Sequence, residues 1–170
     1  FLIFFMNHLV YDIAIVGGGI VGAATLYKLQ KAFPELKIIL IEKEKELAYH
    51  QTGNNSGVIH SGLYYKPGTL KAKNCVNGRH EIVEFAKEHH IKHDVCGKVV
   101  VATQESEFKF MDQIFQNGLE NKTEGIEKIT GDQIKEIEPY VEGIAGIWVP
   151  CTGIIDFVHV TNKMVEVALG

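Results

Sequence analysis

Tyr11-Asp12-Ile13-Ala14-Ile15-Val16-Gly17-Gly18-Gly19-Ile20-Val21-Gly22 decides how this 170-residue chain is to be read. An apolar, β-branched run that ends in glycines reads as a strand buried on both faces. Gly17, Gly19 and Gly22 fit the spacing G-x-G-x-x-G. Gly17 permits the tight turn out of the strand, Gly19 lets the backbone approach a pyrophosphate, and Gly22 lets a helix pack closely on the sheet. The helix spans Ile20–Phe33 and stops before Pro34, and Lys37–Ile41 is a second buried strand. The three elements form one strand–helix–strand unit with parallel strands. Amides at the start of the helix, those of Ile20 and Val21 first, and the helix dipole favour a phosphate there. Glu42 ends the second strand twenty positions after Gly22, placed to accept hydrogen bonds from an adenosine ribose. Its charge disfavours a 2′-phosphate; Lys43 beside it is either a cofactor contact or a solvated lysine. A dinucleotide is implied, and the motif leaves NAD and FAD both open.

Composition is that of an ordinary folded domain, with 46% hydrophobic residues, 22% charged residues and a net charge of −4. Acids and bases are interspersed, which gives no electrostatic reason to expect nucleic acid or anionic lipid as partner. Cys75, Cys96 and Cys151 form no Cys-x-x-Cys pair, so reduced thiols in a cytoplasmic protein are expected. Phe1–Phe5 is apolar but short of the about 20 residues a membrane span needs. Met6 reads as the initiator and residues 1–10 as a disordered or non-native extension. The end at Gly170, directly after an amphipathic stretch over Phe157–Leu169, reads as a cut, so an N-terminal fragment is expected.

Further along, Thr69–His90 reads as a long helix with Leu70, Val76, Ile82, Val83 and Phe85 inward. Val95–Ala102 and Ala145–Val149 read as strands, Ser106–Asn121 and Thr130–Ile137 as helices. On the former helix Phe108, Met111, Ile114, Phe115 and Leu119 share one side. Between them and the first unit, His50–Gly68 is a run of glycines and small hydroxyl or amide residues. Such a run brings backbone donors against a second extended part of a ligand. A flavin, with polar atoms along its ring edge, fits that need. Thr52, Gly53, Asn55, Ser56, Gly57, Val58 and His60 are therefore candidate cofactor contacts.

From here the chain resembles the L-2-hydroxyglutarate oxidase/dehydrogenase family, within the D-amino-acid-oxidase-like flavoproteins. The resemblance rests on the glycine motif, on His50–Lys71 (HQTGNNSGVIHSGLYYKPGTLK), and on Cys96-Gly97-Lys98. Glu138-Pro139-Tyr140 and Pro150-x-Thr152-Gly153-Ile154-Ile155-Asp156 come after these in order. It implies FAD as cofactor and an α/β fold: a Rossmann-like FAD-binding domain with a parallel sheet, plus part of a mixed-sheet substrate domain. The expected division is 11–91 for FAD, 92–156 for the start of the substrate domain, and 157–170 as a helix returning to the FAD domain. The implied reaction is oxidation at C2 of L-2-hydroxyglutarate or a close 2-hydroxy acid, by hydride transfer to flavin N5. Oxygen or a quinone would take the electrons, in a cytoplasmic protein or one peripheral to the inner membrane. Family members run to roughly twice this length or more, in keeping with two-domain enzymes.

The resemblance makes His60 the candidate base or flavin-polarising donor. Tyr64 and Tyr65 are candidates to bind a substrate carboxylate or to pack as aromatics, and Lys66 to pair with a dicarboxylate. Where the family usually has His, this chain has Asn54, which cannot carry a proton charge near neutral pH. Glycerol-3-phosphate and amino-acid oxidases of the same group are the nearest alternatives, although the former place Arg where Tyr64 stands. A non-catalytic nucleotide-binding fragment is the alternative outside enzymes. His89, His90 and His93 cluster without a carboxylate or thiolate and suggest no metal site. Cys96 reads as a buried strand thiol, and no serine-nucleophile motif is present.

Overall fold

The computed structural model describes residues 10–170, so Phe1–Phe5 and Met6 lie outside the described residues. In chain order the elements begin with β1 (Ile13–Val16), α1 (Ile20–Ala32), β2 (Ile38–Ile41), β3 (Val58–Ile59), α2 (Leu70–Glu88) and β4 (His93–Asp94). They continue with β5 (Lys98–Ala102), α3 (Phe108–Glu120), β6 (Glu127–Thr130), α4 (Gly131–Ile137), β7 (Ala145–Val149), β8 (Gly153–Ile155) and α5 (Phe157–Leu169). The chain forms two compact units, one of residues up to Ser56 with Asp156–Gly170, the other Gly57–Ile155. The first division falls at Ser56 rather than at 91, because β3 is drawn into pairing with β8 in the second unit.

In the first unit β1 and β2 run parallel, from Ile13 opposite Ile38 to Val16 opposite Ile41. Parallel strands need a crossover, and α1 supplies it. Ala23 and Leu26 of α1 and Val160 and Thr161 of α5 are buried where the two helices pack. Asp156 caps α5 by accepting the His159 N–H at 3.0 Å. The sequence reads β1 as buried on both faces, but its residues alternate, and Val16 is 83% exposed. An all-apolar run matches a strand covered twice, whereas here helices cover one face of a two-stranded sheet.

In the second unit β3-β8-β4 and β5-β7-β6 are separate antiparallel sheets. Leu63, Ala102, Met111, Ile114, Ile126, Ile147, Val149 and Cys151 form its core. Thr69 caps α2 by accepting the Ala72 N–H, and Thr130 with Gln133 closes a reciprocal capping box on α4. Arg79, 7% exposed, donates through both terminal nitrogens to Glu124 Oε2 at 3.1 and 3.2 Å. That pair ties α2 to the turn after α3.

Three sequence expectations shift here. Leu70 is 77% exposed, because it is the first residue of α2 and lies ahead of the turn that packs. Leu119, at the last turn of α3, is 48% exposed for the same reason at the other end. Cys96 is exposed rather than a buried strand thiol, since β5 starts only at Lys98 and Gly97 turns the chain into it. Gly97 has φ +77°, and a Cβ on it would stand 2.1 Å from the Trp148 ring.

Gly97→Ala combines a left-handed backbone with a ring that cannot retreat from its strand. The expected loss of unfolding free energy is about 2–4 kcal/mol. Gly78→Ala, in α2 where a Cβ meets nothing within 4 Å, is expected to gain about 0.5–1 kcal/mol. Urea unfolding of both variants checks the opposite signs.

Candidate functional site

At the end of β1 the backbone turns on Gly17, whose φ is +105°. A Cβ on Gly22 would lie 1.9 Å from the Gly17 carbonyl oxygen, so only glycine lets α1 start this close to the strand. A Cβ on Gly19 would approach only the Thr52 hydroxyl, at 3.2 Å, and one on Gly17 would meet nothing within 4 Å. The turn is thus open beside Gly17, while the Thr52 hydroxyl stands against Gly19. Gly18, which the motif leaves unspecified, is also constrained: its Cβ would stand 2.5 Å from Leu47 and 3.1 Å from Glu42 Oε2.

Glu42 does more than wait for a ribose. Its Oε2 accepts the Gly18 N–H at 2.6 Å, and its Oε1 accepts those of Lys43 and Glu44 at 2.8 and 3.0 Å. The Glu44 and Gly18 amides chiefly hold its pKa below the usual carboxylate value. A carboxylate offers about four acceptor sites, so one on Oε2 stays available to a ligand hydroxyl. Lys43 is exposed, its Nζ 3.5 Å from Glu44.

The loop after β2 folds back on the glycine turn, with Ala48 N–H donating to Gly18 O at 3.0 Å. Thr52 Oγ1 accepts the Ile20 N–H at 3.0 Å. The Ile20 amide is therefore occupied, and those of Val21 and Gly22 are the helix-start donors without an intrahelical acceptor. Gly53 closes the loop onto His50 O, and Asn55 donates to Thr52 O. Asn54 donates to Tyr49 O and His50 O at 3.2 and 2.7 Å. Ser56 is exposed at the end of this unit.

In the second unit Gly57 and Val58 lead into β3, and His60 comes directly after it. The next residues are clamped: Thr123 Oγ1 donates to Ser61 O, and Asn121 Nδ2 to Gly62 O and Tyr65 O at 3.1 and 2.8 Å. Partial burial, then the Lys98 ammonium, lowers the His60 pKa below its ordinary value. Lys98 Nζ also lies 4.4 Å from the centre of the Tyr64 ring. Burial raises the Tyr64 pKa, so its phenol stays protonated. Tyr65 pairs elsewhere, with Lys71 Nζ 4.6 Å from its ring, and Lys66 is exposed. Lys98 thus links two of the four sequence candidates, His60 and Tyr64, and leaves Tyr65 and Lys66 apart. Sequence reasoning missed Asn121 and the place of Lys98 beside His60 and Tyr64, although Cys96-Gly97-Lys98 is one of the motifs that carry the resemblance.

A parallel strand–helix–strand unit with a glycine turn and a carboxylate closing it defines a dinucleotide-binding oxidoreductase fold. The chain matches the FAD dependent oxidoreductase (DAO) family over residues 12–170 and belongs to it. It is 51% identical over 92% of its length to the L-2-hydroxyglutarate dehydrogenase of Indibacter alkaliphilus, covering 39% of that protein. It is 45% identical over 94% of its length to the mitochondrial L-2-hydroxyglutarate dehydrogenase of Dictyostelium discoideum, covering 36% of it. The FAD-bound L-alpha-glycerophosphate oxidase of Mycoplasma pneumoniae superposes with a TM-score of 0.83 at 30% identity, over 94% of this chain and 42% of that one. The chain therefore spans about two fifths of the curated relatives it matches. FAD, the cofactor of the family, fits the residues present. The side of the turn beside Gly17 is open, Val21 and Gly22 offer amides, and Glu42 keeps an acceptor.

Because the folded pKa of Glu42 is depressed, its contribution to stability is complete above the unfolded value, near 4.5. It is lost as pH falls through the lower folded value. Glu42→Gln is thus expected to destabilise the protein at pH 7, by a margin that shrinks steadily below pH 4.5. Denaturant midpoints of both proteins from pH 7 to pH 3 measure it, and a margin independent of pH would remove the carboxylate from this duty.

Proposed function

We propose that this chain is the FAD-binding part of an enzyme that oxidises L-2-hydroxyglutarate to 2-oxoglutarate. The observation that carries the reading is the likeness, at 45–51% identity, to the two dehydrogenases of that name. Val21 and Gly22 amides would hold the pyrophosphate, Glu42 the adenosine ribose. Thr52, Gly53, Asn55, Ser56, Gly57 and Val58 remain proposed contacts to the cofactor. Bound FAD supplies the two-electron acceptor that takes the C2 hydrogen as hydride.

His60 is proposed as the base. Its lowered pKa keeps the imidazole neutral at pH 7, ready to take the C2 hydroxyl proton as the C–O bond becomes a carbonyl. The clamped turn after it supports this reading by holding the adjoining backbone. Tyr64, kept protonated, donates a hydrogen bond to a substrate oxygen. The electron acceptor after the flavin is oxygen or a quinone, and a quinone would bring the cytoplasmic protein to the inner-membrane surface. No described helix is long and apolar enough to cross a membrane.

Anaerobic addition of L-2-hydroxyglutarate to the complete flavoprotein is expected to bleach the flavin band, while the D isomer and glycerol 3-phosphate leave it. Bleaching by glycerol 3-phosphate instead would favour the reading suggested by the Mycoplasma oxidase. Replacing His60 with Gln is expected to slow flavin reduction about 10²–10⁴-fold. In the wild type the rate should rise with pH as His60 loses its proton, and the rise should come at lower pH than for an ordinary histidine because its pKa is lowered. A His60→Gln enzyme as fast as wild type would take the base away from this residue.

A further inference from the structure

Lys98 occupies an unusual place for a lysine. It opens β5 opposite Val149, and the alternation of the strand puts it on the same face as Val100 and Ala102. That face is the core face: Ala102 is buried in the cluster with Leu63, Met111 and Ile114, and Val100 packs against it. The lysine stem therefore runs along the edge of the core, and the ammonium ends over the Tyr64 ring, 4.4 Å from its centre.

Lys98 is half-buried, and a cation drawn partly out of water is best compensated by a carboxylate partner. Lys98 has none among the described residues. The groups that act on it are the Cys75 and Cys151 thiols, and burial raises both of their pKa values, which keeps them neutral. His60, on the same side, is held neutral as well. The Tyr64 ring face lies under the ammonium, and a cation over an aromatic ring is held far more weakly than one paired with a carboxylate. The protein thus keeps an uncompensated positive charge beside the two side chains best placed for the chemistry.

We infer that the Lys98 ammonium binds a carboxylate of the substrate and so selects for a carboxylic acid over a neutral alcohol. The inference rests on the proposed oxidation of a 2-hydroxy dicarboxylate and names the group that recognises it. A bound carboxylate would complete the missing ion pair in a partly desolvated place, where charge-assisted hydrogen bonds are strong. Tyr64 and His60 then face the remaining oxygens of the same molecule.

Glutarate tests this directly, because it carries both carboxylates and no C2 hydroxyl to oxidise. Its dissociation constant is measured by calorimetry on the complete oxidised flavoprotein and on Lys98→Met, Lys98→Gln and Lys98→Arg. Methionine keeps the stem volume along the core edge, and glutamine provides a second neutral variant should methionine fail to fold. Expected are a weakening of at least about tenfold in the neutral variants and a value within about threefold of wild type for arginine. The KM for L-2-hydroxyglutarate should rise in parallel, with kcat changing much less. Unchanged glutarate binding in a folded neutral variant overturns the inference. So does a shift in flavin midpoint potential without a change in glutarate affinity, which would make Lys98 a partner of the cofactor. If L-2-hydroxyglutarate fails to bleach even the wild-type flavin, the proposed reaction falls, and the glutarate titration still decides the lysine.

Discussion

One carboxylate holds the first unit in its working shape. Glu42 accepts amides from Gly18, Lys43 and Glu44, and so fastens the turn after β1 to the end of β2. Parallel pairing of two four-residue strands would not by itself fix that turn. With it fixed, Gly22 can pass within van der Waals reach of the Gly17 carbonyl, and α1 starts where its free amides face outward. The loop that packs on Gly18 through Leu47 and Ala48 then delivers Thr52 to the first of those amides. The free amides of Val21 and Gly22 at the start of α1 are a consequence of this closure.

The second unit reaches rigidity by a different route. β3 has only two residues, too few to orient His60 alone. The position of His60 depends on the turn over residues 61–65, where the Asn121 amide grips two carbonyls and Leu63 is sunk in the core at 1% exposure. Pairing of Ile59 with Gly153 before it and the clamped turn after it hold the backbone of His60, while its ring is exposed.

Legibility in the sequence scales with the length over which a pattern repeats. The glycine motif, α1, β7 and α5 were legible because each carries its own signal over several residues, and the parallel direction of β1 and β2 came with them. β3, β4 and β8 were not, since two or three residues show no alternation, and β6 hides a single inward Ile129 among polar neighbours. In the candidate site, glycines announced themselves by spacing. The motif Cys96-Gly97-Lys98 marked Lys98 without showing where it points, because a lysine before three valines reads equally as a solvated strand end. Only the pairing of β5 with β7 shows that it shares the face of Ala102. The divergence of Tyr64 and Tyr65 toward different lysines was likewise invisible, since adjacent aromatics in a turn carry no directional pattern.

Asn54 shows how a departure from a family pattern can be local in its effect. Its amide nitrogen donates to two carbonyls of its own loop, those of Tyr49 and His50. Two donors on one nitrogen are available to an amide at any pH. An imidazole offers two N–H groups only when protonated, and they sit on opposite sides of the ring. A histidine at this position would therefore have to bond one carbonyl at most when neutral, or turn elsewhere. In this chain the loop that carries Thr52 is closed without a titratable group at position 54. Asn54 and Asn55 are fixed amide clasps on that loop, and beside them the contact of His50 with Glu44 at 2.9 Å involves a titratable ring.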